Sequence, residues 1–76
     1  MERELVNYIA QQLVSDRESV EVRSRMTRDA LILELKVAPE DMGRIIGRNG
    51  SVANAIRSVL RASTRLRDKR ILLDID

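Results

Sequence analysis

Two glycines three residues apart, Gly47 and Gly50, interrupt a run of helical apolar spacing in the stretch RIIGRNGSVANAI, residues 44–56. On the near side, Met42, Ile45 and Ile46 share one face of a short helix that Pro39 opens. Proline suits a first helical turn, and Glu40 and Asp41 complement the positive end of the helix dipole. On the far side, Val52, Ala55, Ile56, Val59, Leu60 and Leu66 line one face of a longer helix over residues 51–66. Only Arg48 and Asn49 stand between the glycines, so the two helices must join through a tight turn.

The remaining segments supply what that pair covers. Residues 3–14 place Leu5, Val6, Ile9, Leu13 and Val14 on one helical face. After the polar break SDRES, Val20 and Val22 alternate with Glu21 and Arg23, with Met26 continuing the apolar side of a strand. In ALILELKV, Leu31, Leu33, Leu35 and Val37 oppose Ile32, Glu34 and Lys36, a clearer strand. Between them MTRD must hold a turn, although it lacks the glycine a tight hairpin prefers. A third strand, RILLDID, alternates Ile71, Leu73 and Ile75. The order helix, strand, strand, helix, helix, strand predicts an α+β fold in two layers, a three-stranded sheet covered on one face by three helices. Residues 1–76 form a single domain with a thin core, since a chain this short buries only about 60% of its unfolded surface. The opposite sheet face carries Glu21, Arg23, Arg25, Glu34, Lys36, Asp74 and Asp76, whose mixed signs can pair across strands.

Net charge is only +2, but its distribution is uneven. Residues 1–41 carry six Lys/Arg against nine Asp/Glu, whereas residues 42–70 carry eight against Asp68 alone. The basic half is the half with the glycines, which points to a polyanionic partner, nucleic acid or acidic membrane. There is no cysteine and no histidine, which removes thiolate chemistry, the usual zinc ligands and the usual general base. The start MERELVNYIAQQLV mixes charges among its apolar residues, so it reads as neither a signal nor a membrane span, and a cytoplasmic setting is expected.

As a turn alone the break asks for little: Gly47 stops a helix in the left-handed conformation, and Asn49 and Gly50 are ordinary turn residues. Three features go further. A second glycine sits where the next helix begins; a Ser, Thr or Asp would normally cap that start, a role Ser51 fills only in part; and Arg48 lies at the positive end of a helix dipole. All three follow if the amides between Gly47 and Gly50 aim outward at a phosphate, with glycine allowing close approach and Arg48 adding charge. Neither G-x-x-x-x-G-K-[ST] nor G-x-G-x-x-G is present, which disfavours nucleotide hydrolysis. Arg57, Arg61 and Arg65 recur every four residues on the side expected to face away from the core. Like charges at that spacing repel, and a polyanion would relieve them. Simple solvation explains Arg61 and Arg65 equally well, while Arg57 is nearer the loop. Tyr8, the one aromatic residue, lies far from the basic half, so base stacking on aromatic rings is excluded there. Bases would instead meet an aliphatic groove beside Ile46 and the second strand, with modest, salt-dependent affinity.

The run IIGRNGSVANAI resembles the KH-domain signature, a hydrophobic pair followed by G-x-x-G and an apolar-spaced helix. The order of elements is that of the bacterial type II KH fold. With VAPEDMGRIIGRNGSVANAIRSVLRA behind a helix like ELVNYIAQQLV, the chain is similar to the KhpA family over essentially its whole length. The resemblance implies a regulatory or chaperone-like module that clamps about four nucleotides of single-stranded RNA. Gly47, Arg48, Asn49 and Gly50 would hold phosphates, Ile46 would line the base groove, and Arg44 and Ser51 would flank it. Ala53 departs from the larger aliphatic residue of many KH domains and leaves the groove floor open. Also implied is a homodimer, or a heterodimer with a second, KhpB-like KH protein. Ile32 and Leu72, on the otherwise polar sheet face, are compatible with such a contact. No cofactor, metal or membrane is called for.

Two other functions fit the same residues. Residues 39–66 could form a helix–turn–helix that reads duplex DNA, or the basic half could dock an acidic protein as a dimerisation or adaptor module. An enzyme is disfavoured, because no His, Cys or carboxylate pair sits near the loop.

Overall fold

The computed structural model describes residues 2–63 and 70–76. Arg65, Leu66, Arg67, Asp68 and Lys69, assigned above to the long helix and the basic run, lie outside the described residues. Helix α1 spans Glu2–Leu13, strand β1 Glu21–Met26, β2 Ala30–Lys36, helix α2 Met42–Ile46, α3 Ser51–Ser63 and β3 Arg70–Ile75. Short 3-10 turns at Arg17–Ser19, Pro39–Asp41 and Arg48–Gly50 join them.

The sheet runs β1-β2-β3. β1 and β2 are antiparallel, with Glu21 opposite Lys36 and Met26 opposite Leu31, and β2 and β3 are parallel, with Ala30 opposite Arg70. A parallel pair needs a long crossover, and α2 with α3 provides it. The hairpin turn manages without glycine because Thr27 closes it. Its N–H donates to the Ala30 carbonyl (2.8 Å), and its Oγ1 accepts from the Ala30 N–H (3.0 Å). Neither Arg28 nor Asp29 needs a positive φ.

The core lies between sheet and helices. Leu31, Leu33, Leu35 and Leu73 point up from the strands against Val6 and Ala10 of α1, Ile45 of α2, and Ile56 and Leu60 of α3. Met26, on the same side as Val22, runs past the end of the core and is exposed. The inward face of α3 differs from the expected one. Ala53, Ile56 and Leu60 are buried, whereas Ala55 is exposed and Val59 is 43% exposed. The helix is thus turned so that the small Ala53 packs into the core rather than flooring a groove. On the outer sheet face an ion pair among the described residues runs along β1, Arg23 to Glu21 at 2.9 Å. Both side chains are well exposed, so its contribution is small.

Asp41 does more than complement a dipole. It is fully buried, and its carboxylate accepts from the Ser15 N–H (3.0 Å), the Asp16 N–H (3.1 Å) and the Ser15 hydroxyl (3.1 Å). The carboxylate ties the chain leaving α1 to the start of α2, which fixes where the glycine turn begins. Arg44 Nη1 reaches the same cluster, donating to Ser15 Oγ and lying 3.5 Å from Asp41 Oδ1. The Ser15 amide, then the Asp16 amide, hold the Asp41 carboxyl below its ordinary value of 3.8, against burial, which pushes it up. A lowered folded-state pKa stabilises the fold above the unfolded value and loses that stability as pH falls through the folded one. Replacing Asp41 by Asn should therefore lower the thermal midpoint by several degrees at pH 7. The difference from the unaltered chain should shrink as pH drops below about 4, near the ordinary Asp pKa, when melts are recorded across that range.

Candidate nucleic-acid interface

The glycine turn begins with a conformation narrower than the left-handed stop anticipated for it. Gly47 has φ 75° and ψ 174°, a region open essentially to glycine alone. A Cβ placed there would lie 2.4 Å from Val52 Cγ2 and 2.8 Å from the Val52 amide nitrogen. Gly50 also has positive φ, at 78°, but a Cβ there would meet only Asn54 Nδ2, at 3.8 Å. The fold therefore requires Gly47, whereas Gly50 leaves an open surface. Asn49, between them, is left-handed at φ 57° and ψ 27°, a conformation Asn tolerates better than most residues.

The supply of amides is smaller than the sequence reading expected. The Gly47 N–H donates to the Gly43 carbonyl (2.8 Å) and the Gly50 N–H to the Gly47 carbonyl (3.2 Å). The Ser51 N–H is taken by the Arg48 carbonyl. The 3-10 turn that leads into α3 uses up amides that a bare helix start would leave free. Those of Arg48 and Asn49 have no acceptor among the described residues. Ser51 itself is helical, at φ −61° and ψ −40°, so it is no cap, and it is exposed at the turn. What the turn offers is two amides, the exposed Arg48 and Asn49 side chains, and the smooth surface at Gly50.

The other candidates divide. Ile46 is 38% exposed beside the turn. Arg44 leans its guanidinium to Ser15 and Asp41, as part of the pin under α2, and its side chain stays 58% exposed. Arg57 is corrected in direction. It does not point straight away from the core but lies half-buried along β3, donating Nη2–H to the Leu73 carbonyl (3.0 Å) and Nη1–H to Asn54 Oδ1 (3.2 Å). Arg61 lines the same cleft, together with Arg25, Ile32 and Leu72.

The groove beside Ile46 and β2 does not form as anticipated. β2 is central, hydrogen-bonded along both edges, and its inward Leu31, Leu33 and Leu35 are buried. The open strand edge next to α3 belongs to β3. Arg70 N–H donates to the Asp29 carbonyl (2.9 Å) and Asp76 N–H to the Leu35 carbonyl (2.8 Å). Even-numbered residues of β3 therefore face β2, and the backbone groups of Ile71, Leu73 and Ile75 face outward. Asn54, which the sequence reading passed over, links this edge to the turn. It sits over Gly50 and accepts from Arg57, so Gly50, Asn54, Arg57 and Leu73 form one continuous polar strip. The spacing of 50, 54 and 57 along one helix face was the available signal.

A family model described as KhpA/KhpB, KH domain, matches residues 3–75. The chain is 44% identical over 73 residues to the RNA-binding protein KhpA of Clostridium perfringens, covering 96% of this chain and 97% of that one. It is 44% identical over 72 residues to the RNA-binding protein KhpA of Caldanaerobacter subterraneus, covering 95% and 96%. The RNA-binding protein KhpA of Clostridium acetobutylicum is 42% identical over 73 residues, covering 96% and 97%. No solved structure gives a significant match.

Proposed function

The chain belongs to the KhpA/KhpB KH-domain family, and from that premise we propose that it binds single-stranded RNA, gripping about four nucleotides through the Gly47–Gly50 turn. The family is one of RNA-binding proteins, not of enzymes. The observation that carries the reading is the turn itself. Arg48 and Asn49 present unbonded amides and exposed polar side chains beside a glycine surface that a sugar-phosphate chain can approach. With phosphates held there, bases fall beside Ile46 and along α3 toward the open edge of β3. Arg57 stands about 10 Å from Gly50 along the helix, at 1.5 Å per residue. In this reading Ser51 adds a hydroxyl at the turn and Arg44 serves as its support.

The role that follows is that of a cytoplasmic RNA chaperone or regulator. No helix among the described residues is long and apolar enough to cross a membrane. Pairing with a second copy or with a KhpB-like KH protein is part of the proposal. Its support is the thin core of a short chain and Leu72, 45% exposed beside Ile32 on the outer sheet face. The geometry gives a DNA-reading helix less support. A recognition helix needs outward side chains for base edges, whereas Asn54 and Arg57 of α3 are bonded to each other and Arg57 to β3.

Titration of a fluorescent octaribonucleotide by anisotropy tests the reading. With two or three phosphates neutralised, log Kd should change with log salt at a slope of about 1.5 to 2 in magnitude, at about 0.7 per phosphate for single strands. Displacement of the RNA by an equal length of duplex DNA, or indifference to salt, would sink it.

A further inference from the structure

The outer face of the sheet is unevenly charged, and the strand register shows where. Arg23, Glu34 and Asp74 form one row across the three strands. The next row toward the hairpin is Arg25, Ile32 and Leu72, and Arg70 lies beyond it, opposite Ala30. Both acids of these rows stand in the first, so the hairpin end carries cations without counter-charge. Arg23 is held by Glu21 at 2.9 Å. Arg25 and Arg70 are exposed and have no ion pair among the described residues, and the same holds for Arg61 of α3. Arg61 nevertheless reaches this ground, since it lines one cleft with Arg25, Ile32 and Leu72, together with Arg57 and Asp74. Cations from β1 and from the helix layer thus converge around β3, an arrangement that favours a polyanion.

The four-nucleotide grip runs from Gly50 along α3 to the open edge of β3. Arg61 stands one turn past Arg57, about 16 Å from Gly50 at 1.5 Å per residue. We propose that a longer RNA crosses the β3 edge at Arg61 and continues on the outer sheet face, where Arg70 and Arg25 each hold a phosphate. The inference rests on the RNA reading above and deepens it, from a grip at the turn to a path around the sheet edge. Leu72, 45% exposed, and Ile32 give a base or ribose apolar ground between the two cations. Strands lie about 4.8 Å apart, so the crossing from β3 to Arg25 on β1 is about 10 Å, a span for a few nucleotides. Glu34 and Asp74 repel phosphate and confine the path to the hairpin end. Pairing through Ile32 and Leu72 would cover the same ground, so long RNA and a partner exclude one another there.

The test uses the full chain and compares a fluorescent octaribonucleotide of cytidine with a dodecaribonucleotide across a salt series. The salt slope of the dodecamer should exceed that of the octamer by about 1.4, two phosphates at about 0.7 each. Arg25→Ala should remove about 0.7 of that difference, and Arg25→Ala combined with Arg70→Ala the whole of it, with the octamer slope unchanged. Arg25→Lys keeps a point charge for the phosphate and should restore the slope. Arg23→Ala deletes the same formal charge from the same strand, but one already held by Glu21, and should leave the dodecamer as it was. Equal slopes for the two lengths, or equal losses from Arg23→Ala and Arg25→Ala, would reduce these arginines to net charge and overturn the inference. A dimer that Leu72→Glu breaks, and that stays intact with the dodecamer bound, would give the face to a second copy and overturn it as well. Failure of the octamer to bind overturns the RNA reading itself, and the two failures are distinct in the data.

Discussion

Replacing Gly47 with alanine should cost at least about 3 kcal/mol of stability, combining backbone strain with overpacking. At roughly 4–8 °C per kcal/mol for a domain of this size, the thermal midpoint should fall by about 12–24 °C. Two independent penalties combine. The backbone at φ 75° and ψ 174° is one an L-residue with a side chain avoids. The added methyl would also sit 2.4 Å from Val52 Cγ2 and 2.8 Å from the Val52 nitrogen, and the second of these is backbone that cannot rotate aside. Relief would require α3 to shift, which would disturb Ala53, Ile56 and Leu60 in the core. A domain of 76 residues has only about 4–11 kcal/mol in total, at 0.05–0.15 per residue, so the variant should be partly unfolded at 37 °C. Gly50→Ala is the control. It keeps a positive φ but meets only Asn54 Nδ2 at 3.8 Å, an ordinary contact, and should cost about 1–2 kcal/mol, the left-handed penalty alone. Circular dichroism melts of the two variants would separate the glycine that the fold needs from the one it leaves for a ligand. Equal losses would contradict that division.

Alternation and helical spacing made the architecture legible, because Leu31, Leu33 and Leu35 or Val6 and Val14 are inward for reasons that operate within each segment. The strand order and the identity of the open edge were not legible. They depend on how the α2–α3 crossover returns β3 to pair in parallel with β2, a tertiary choice that moved the expected groove from β2 to β3. Asp41 reads locally as a helix-start acid. Its real partners, Ser15 and Asp16, lie at the far end of another helix, so no window of sequence brings them together. Arg57 was singled out for its charge, yet its direction is set by the Leu73 carbonyl sixteen residues on. The turn lies in between. That Gly47 and Gly50 break a helix was plain, but how many amides the break frees depends on the 3-10 turn at Arg48–Gly50. Composition and period do not encode whether a three-residue link closes its own hydrogen bonds.

Changing Arg48 and Asn49 together to aspartate should reduce affinity for single-stranded RNA roughly a hundredfold or more, the scale of losing charge-assisted contacts and adding repulsion. It should do so while leaving the fold intact. Both side chains are exposed and neither has a partner among the described residues, so their removal breaks no contact in the protein. Asp keeps the left-handed backbone that Asn49 adopts at φ 57°, since both residues tolerate that region. The two free amides would remain, but each would now stand beside a carboxylate that repels the phosphate it should receive. Folding and binding can therefore be read separately, by an unchanged circular dichroism spectrum and melt on one side and anisotropy with an octaribonucleotide on the other. Binding that survives the double change would move the RNA off the turn, to the Arg57 and Arg61 cleft or elsewhere. Partner binding that persists with both substitutions and after RNase treatment would favour an adaptor role. Loss of binding with an unaltered melt would tie the affinity to the turn, where backbone donors, a cation and a side-chain-free surface stand side by side.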